Sequence, residues 1–84
     1  ESTLQIFPNP AVDIVQVIID LPYDSPVCFS LFNTIGESEI LLNTDLSKGL
    51  HSFDFSLQKS SGLYYLTMYT KNSSIISPLS IINR

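Results

Sequence analysis

Any chemistry in this chain must come from very few side chains. His51 is the only histidine and Cys28 the only cysteine. A thiol beside an imidazole is a nucleophile with its base, and Asp54, close to His51 in sequence, would be the orienting acid. The pattern around them argues otherwise. Cys28 alternates with Phe29 in an apolar run, which makes it a small outward-facing residue, and His51 stands near the start of an alternating strand, at the rim of a fold. Carboxylates form two further pairs. Glu37 and Glu39 share one face of a strand, while Asp13 and Asp20 flank another. Paired carboxylates serve acid–base catalysis or calcium. These lack the dense ligand spacing of a calcium loop and read as solvated strand ends. Asn72-Ser73-Ser74 fits the glycosylation acceptor pattern, and a hairpin turn accounts for the same residues. Tyr65 and Tyr69 share a face. They would form an aromatic platform for a carbohydrate or peptide, or cover the second face of a thin sheet packing. The expectation is a protein with no catalytic, metal or cofactor site.

The elements that must hold these residues follow a period of two, with almost no helical stripe. Seven strands are expected: Leu4 to Phe7, Asp13 to Asp20, Val27 to Asn33, Glu37 to Leu42, Leu50 to Leu57, Leu63 to Thr70 and Ile75 to Ile82. Pro8 and Pro10 each fix φ and remove a donor, and Asn9 before a proline is driven extended, so a stiff corner divides the first two strands. Leu21 to Pro26 reads as a proline-punctuated loop, and Asn43 to Gly49 as a polar connection. Gly36 supplies the positive φ of a tight turn after Asn33. Pro78 inside the last strand marks a sheet edge with open backbone groups. Short strands with regular turns make an all-β sandwich of about seven antiparallel strands in two sheets. Val15, Val17, Ile19, Phe29, Leu31, Phe53, Phe55, Tyr64 and Leu66 are its expected core.

Composition narrows the function classes. The 84 residues make one domain, 1–84, with a small core. At 44% hydrophobic and 14% charged, the chain is too apolar for a disordered tail. Four basic residues against eight acidic ones give −4, so no basic patch exists for nucleic acid. A single cysteine excludes an internal disulfide. No apolar run reaches the length of a membrane span, and the opening Glu1-Ser2-Thr3-Leu4 has no signal-peptide pattern. The chain is expected to be a mature protein or an excised domain.

Three separated stretches are together similar to one family. "IFPNPAVDIVQVII" resembles the opening Y/F-P-N-P-A-x-D-x-L-x-I of C-terminal sorting domains of the type IX (Por) secretion system of Bacteroidetes. Pro8, Asn9, Pro10, Ala11 and Asp13 match directly, and Val15, Val17 and Ile19 fall on its apolar positions. "FSLFNTIGE" resembles the middle motif I-Y-D-x-x-G-K through Leu31, Phe32, Asn33 and Gly36, with Asn33 in place of the usual Asp. "SSGLYYLTMYT" is similar to the late S-G-x-Y-x-L-x-V motif through Gly62, Tyr64 and Leu66. The order and spacing agree over nearly the whole chain. Lys59 stands where a leucine usually precedes the late glycine, and only Arg84 stands where the last strand commonly ends in lysines.

The resemblance implies an immunoglobulin-like sandwich at the C-terminus of an exported protein. It implies transit through the periplasm, then the outer membrane and cell surface or secretion. The implied partners are the outer-membrane secretion translocon, shuttle and sortase proteins. On this basis Pro8, Asn9, Pro10, Asp13, Gly36, Gly62, Tyr64, Pro78, Ser80, Ile82 and Arg84 are the candidate recognition residues. The segment Ile75 to Arg84 is expected to carry the export information, and its edge strand to pair with a partner strand or a second copy. Two other readings stand beside this one. The domain is instead retained, uncleaved, as a docking module of the surface machinery, or it is an accessory sandwich binding a ligand through Tyr65 and Tyr69.

Overall fold

The computed structural model describes residues 2–82. Those residues form strands β1 (Thr3–Phe7), β2 (Ile14–Leu21), β3 (Ser25–Asn33), β4 (Ser38–Leu46), β5 (Gly49–Ser56), β6 (Gly62–Tyr69) and β7 (Ser74–Ile81). They pair antiparallel in two sheets, ordered β1-β2-β5 and β4-β3-β6-β7. The fold is the expected immunoglobulin-like sandwich. No helix among the described residues is long and apolar enough to cross a membrane.

Alternation decides which face each strand buries. Val15, Val17, Ile19 and Leu21 of β2 point between the sheets, as do Val27, Phe29 and Leu31 of β3. Leu66 and Met68 of β6 and Leu79 and Ile81 of β7 complete that layer. Phe29 lies at its centre, 5.6 Å from the Phe53 ring and 5.5 Å from Phe55, in the edge-on or tilted arrangement that aromatic quadrupoles favour. Phe53, Phe55 and Tyr64 are only half-buried. The reason for Phe53 and Phe55 is positional: β5 is the outer strand of the smaller sheet, so no further strand of that sheet flanks its rings. Ala11 and Leu57, both outside the strands, are buried with the core.

Two expected connections are corrected. The loop after β2 is shorter than expected, because Leu21 ends β2, and Ser25 and Pro26 already belong to β3. The ladder between β3 and β6 begins only at Cys28, so Pro26 meets no third strand there and its missing donor is tolerated. Asn43, Thr44 and Asp45 are not a polar connection but the second half of β4, opposite Cys28, Val27 and Pro26. An edge strand accepts such polar residues because one side stays in water. The register shifts between Phe29, opposite Leu42, and Ser30, opposite Ile40, which makes Leu41 the extra residue of a β-bulge.

Candidate recognition site

The family-like motifs lie far apart in sequence but gather at one end of the sandwich. That end holds the β1–β2 corner, the β3–β4 turn, the β5–β6 connection and the end of β7. Pro8 and Pro10 hold the corner, and both peptide bonds before them are cis. The corner presents the Asn9 side chain to the outer edge of β7. Its Oδ1 accepts from the Ser80 N–H at 3.0 Å, and its Nδ2 donates to the Pro78 carbonyl at 3.3 Å. The carboxamide thus makes the two bonds that a neighbouring peptide group would make. Ala11 continues the pattern with its own backbone. Its N–H donates to the Ser80 carbonyl, and its carbonyl accepts from the Ile82 N–H, both at 2.8 Å. Ala11 and Ile81 form a parallel bridge. Only the methyl of Ala11 enters the core, and it is fully buried.

This arrangement corrects the expectation of open backbone groups along the C-terminal strand. β7 is an edge strand, as Pro78 signalled. Between Pro78 and Ile82, however, its outward groups are already bonded to Asn9 and Ala11. Partner pairing along that half of β7 would have to displace the corner.

The other two motifs also build turns. Asn33 Oδ1 accepts from the backbone N–H groups of Ile35 at 3.1 Å and Glu37 at 2.9 Å. Its Nδ2 donates to Glu37 Oε1 at 2.7 Å. Gly36, with φ 90°, completes the turn in the left-handed region. An asparagine serves here because the carboxamide supplies both an acceptor and a donor, which a carboxylate cannot. Tyr64, near the start of β6, donates its hydroxyl to the Ser60 carbonyl at 2.8 Å. This is the tyrosine corner of immunoglobulin-like sandwiches, locking the β5–β6 connection. Gly62 opens β6 opposite Ile81. Asp13 is exposed, and its carbonyl accepts from the Leu57 N–H at 2.7 Å, seating Leu57 in the core. Lys59 forms an ion pair with Glu39 of β4. The hydrogen bond to Glu39 is the main cause that raises the Lys59 pKa above its ordinary 10.5. Asn33, Glu37, Glu39, Lys59, Ser60 and Tyr64 line a shallow cleft of about 440 Å³ at this end. Pro78 and Ser80 of β7 and Ile82 just after it are exposed. Arg84 lies outside the described residues.

The catalytic combinations are not assembled. Cys28 is half-buried on the outer face of β3, near Ser30 Oγ at 3.9 Å. His51 belongs to the other sheet, bonded to the Ser47 carbonyl at 2.7 Å and stacked on Phe53. Asp54 points to the face opposite His51. Asp13 and Asp20 sit at opposite ends of β2. No three of His, Cys, Asp and Glu among the described residues gather where they could hold a metal ion. The Asn72 amide donates to the Tyr23 hydroxyl at 2.8 Å, at the end away from the motifs. Tyr65 and Tyr69 line an apolar hollow of about 370 Å³ with Phe32, Thr67 and Ile76 on the outer face of the larger sheet. Tyr65, Tyr69 and Thr67 carry the hydroxyls of an otherwise apolar lining.

Sequence reasoning named the corner but missed its partner, because Asn9 and Ser80 are 71 residues apart. The only available signal was that a lone asparagine between two prolines cannot satisfy its amide locally. The Lys59–Glu39 pair is legible only once β4 and the β5–β6 connection are seen side by side. A family model described as a secretion system C-terminal sorting domain matches residues 5–82. The comparison with curated proteins gives no match.

Proposed function

Because the chain belongs to the family of secretion system C-terminal sorting domains, we propose that it is the non-catalytic address of an exported protein. It is read at the outer membrane by the type IX machinery. The translocon engages the folded sandwich, and shuttle and sortase proteins then act on it at the cell surface. The protein carrying it passes through the periplasm and ends at the surface or in the medium. The observation that carries this reading is the family match over nearly the whole chain. The geometry supports it: three motifs converge on one end, where they build a corner, an Asx-type turn and a tyrosine corner. An end prearranged in this way costs its partner little ordering entropy.

The test is a fusion. A reporter with its own signal peptide is joined ahead of residues 1–84 and expressed in a bacterium that has the type IX system. Surface or extracellular reporter is expected, with periplasmic reporter in a strain lacking the translocon. Periplasmic retention in both strains overturns the proposal. Intact mass of the delivered protein then distinguishes removal of the domain, a loss of about 9.4 kDa, from its retention as a docking module.

A further inference from the structure

A sandwich of two open sheets has four edges, and three of these are protected. β7 carries Pro78 and is bonded to Asn9 and Ala11 over its last residues. β1 has five residues and runs into Pro8. β4 is bulged at Leu41. Short strands, prolines and bulges are the means by which natural proteins keep edges from pairing. β5 has none of them. Its eight residues pair without interruption from Ile14↔Ser56 to Leu21↔Gly49. The Leu57 N–H just beyond it donates to the Asp13 carbonyl, toward β2. Antiparallel alternation therefore turns the backbone N–H and C=O groups of Leu50, Ser52, Asp54 and Ser56 away from β2. Among the described residues, no backbone group bonds to that outer row.

We propose that the outer edge of β5 is a strand-docking site for an extended segment of a partner protein in which apolar and basic residues alternate. A row of open donors and acceptors at strand spacing is complementary to another extended backbone. The apolar requirement comes from the rings of Phe53 and Phe55, half-buried on the outermost strand of their sheet. The basic requirement comes from charge. Among the described residues, β4 and β5 carry Asp45 and Asp54 without a basic partner and no lysine or arginine of their own, while Glu39 is already paired with Lys59. The cleft shared by Glu39, Leu41, Ser56, Leu57 and Lys59 brings the two strands to the same flank. The same charge, in a chain of net −4, works against a second copy as the occupant. The sorting role identifies the partner only as part of the export machinery.

The test uses the isolated domain and a short synthetic peptide of alternating valine and lysine, read by residue-resolved amide exchange. At saturating peptide, exchange at Leu50, Ser52, Asp54 and Ser56 is expected to slow about tenfold. Ser52→Pro removes one outward donor and no backbone bond to β2, only the exposed hydroxyl contact from Gln16 at 3.3 Å, so it should keep the circular dichroism spectrum and lose the protection. Asp54→Lys leaves the backbone intact and should weaken the peptide at least about threefold. Protection confined to β1, to Ile76 or to no site overturns the inference, as does undiminished binding by Asp54→Lys. A dimer seen by light scattering that protects these same amides without peptide overturns the choice of occupant. This readout needs no export host, so its failure is distinct from failure of the reporter experiment.

Discussion

Asn9 contributes through two hydrogen bonds that its backbone cannot make. Asn9→Ala should lose about 1–2 kcal/mol in urea unfolding, because both bonds to β7 go together. Asn9→Asp keeps the acceptor for Ser80 but turns a carboxylate oxygen toward the Pro78 carbonyl, so at neutral pH its loss should be no smaller than that of alanine. Phe29 is fully buried among Phe53 and Phe55, and Phe29→Ala should cost about 3–5 kcal/mol. Phe55, half-buried at the edge, should cost about 2 kcal/mol by the same measurement. The difference between these two rings illustrates what the sequence conceals. Alternation put both on the inner face, as observed, but only the strand order reveals that one has a neighbour on every side and the other does not. The motif residues were likewise legible as turn-formers. What could not be read was that Asn9 bonds to a strand at the other end of the chain.

Strand identity survived well because period two is written residue by residue, whereas strand ends depend on partners. Pro26 and the run Asn43 to Asp45 look like loop until each is seen opposite the other on β3 and β4. The same dependence governs the function of β7. Ser80, Ile82 and Arg84 are changed by Ser80→Asp, Ile82→Asp and Arg84→Glu, while Leu79 and Ile81 stay in the core. A folded domain by circular dichroism is expected, with its reporter held in the periplasm. Normal delivery by this variant would move recognition to the corner around Asn9. The Lys59–Glu39 pair joins the β5–β6 connection to β4. Its Lys59 pKa is raised, so its contribution is fully present below the unfolded value near 10.5 and is lost as pH rises through the folded value. Stability measured against pH should show a step in that alkaline window. The step should be small, at most about 1 kcal/mol, because the pair is solvent-exposed. Lys59→Met should abolish the step.

For the molecule as a whole, the two ends of the chain are closed on each other. The corner at residues 8–11 holds the last strand through Pro78, Ser80 and Ile82. Removing residues 1–11 should therefore impair more than β1. It should release the end of β7, lower the urea midpoint, and stop delivery of a reporter whose C-terminal segment is intact. Delivery by that truncated domain would show that the corner is dispensable for recognition. The closure also has a temporal side. On a ribosome Asn9 emerges first and must wait for Pro78 and Ser80, 69 and 71 residues later. A chain halted before Pro78 leaves the asparagine amide and the Ala11 peptide with nothing to bind. The finished corner is thus a record that synthesis has passed Ser80 and Ile82, available on the surface to whatever inspects the domain.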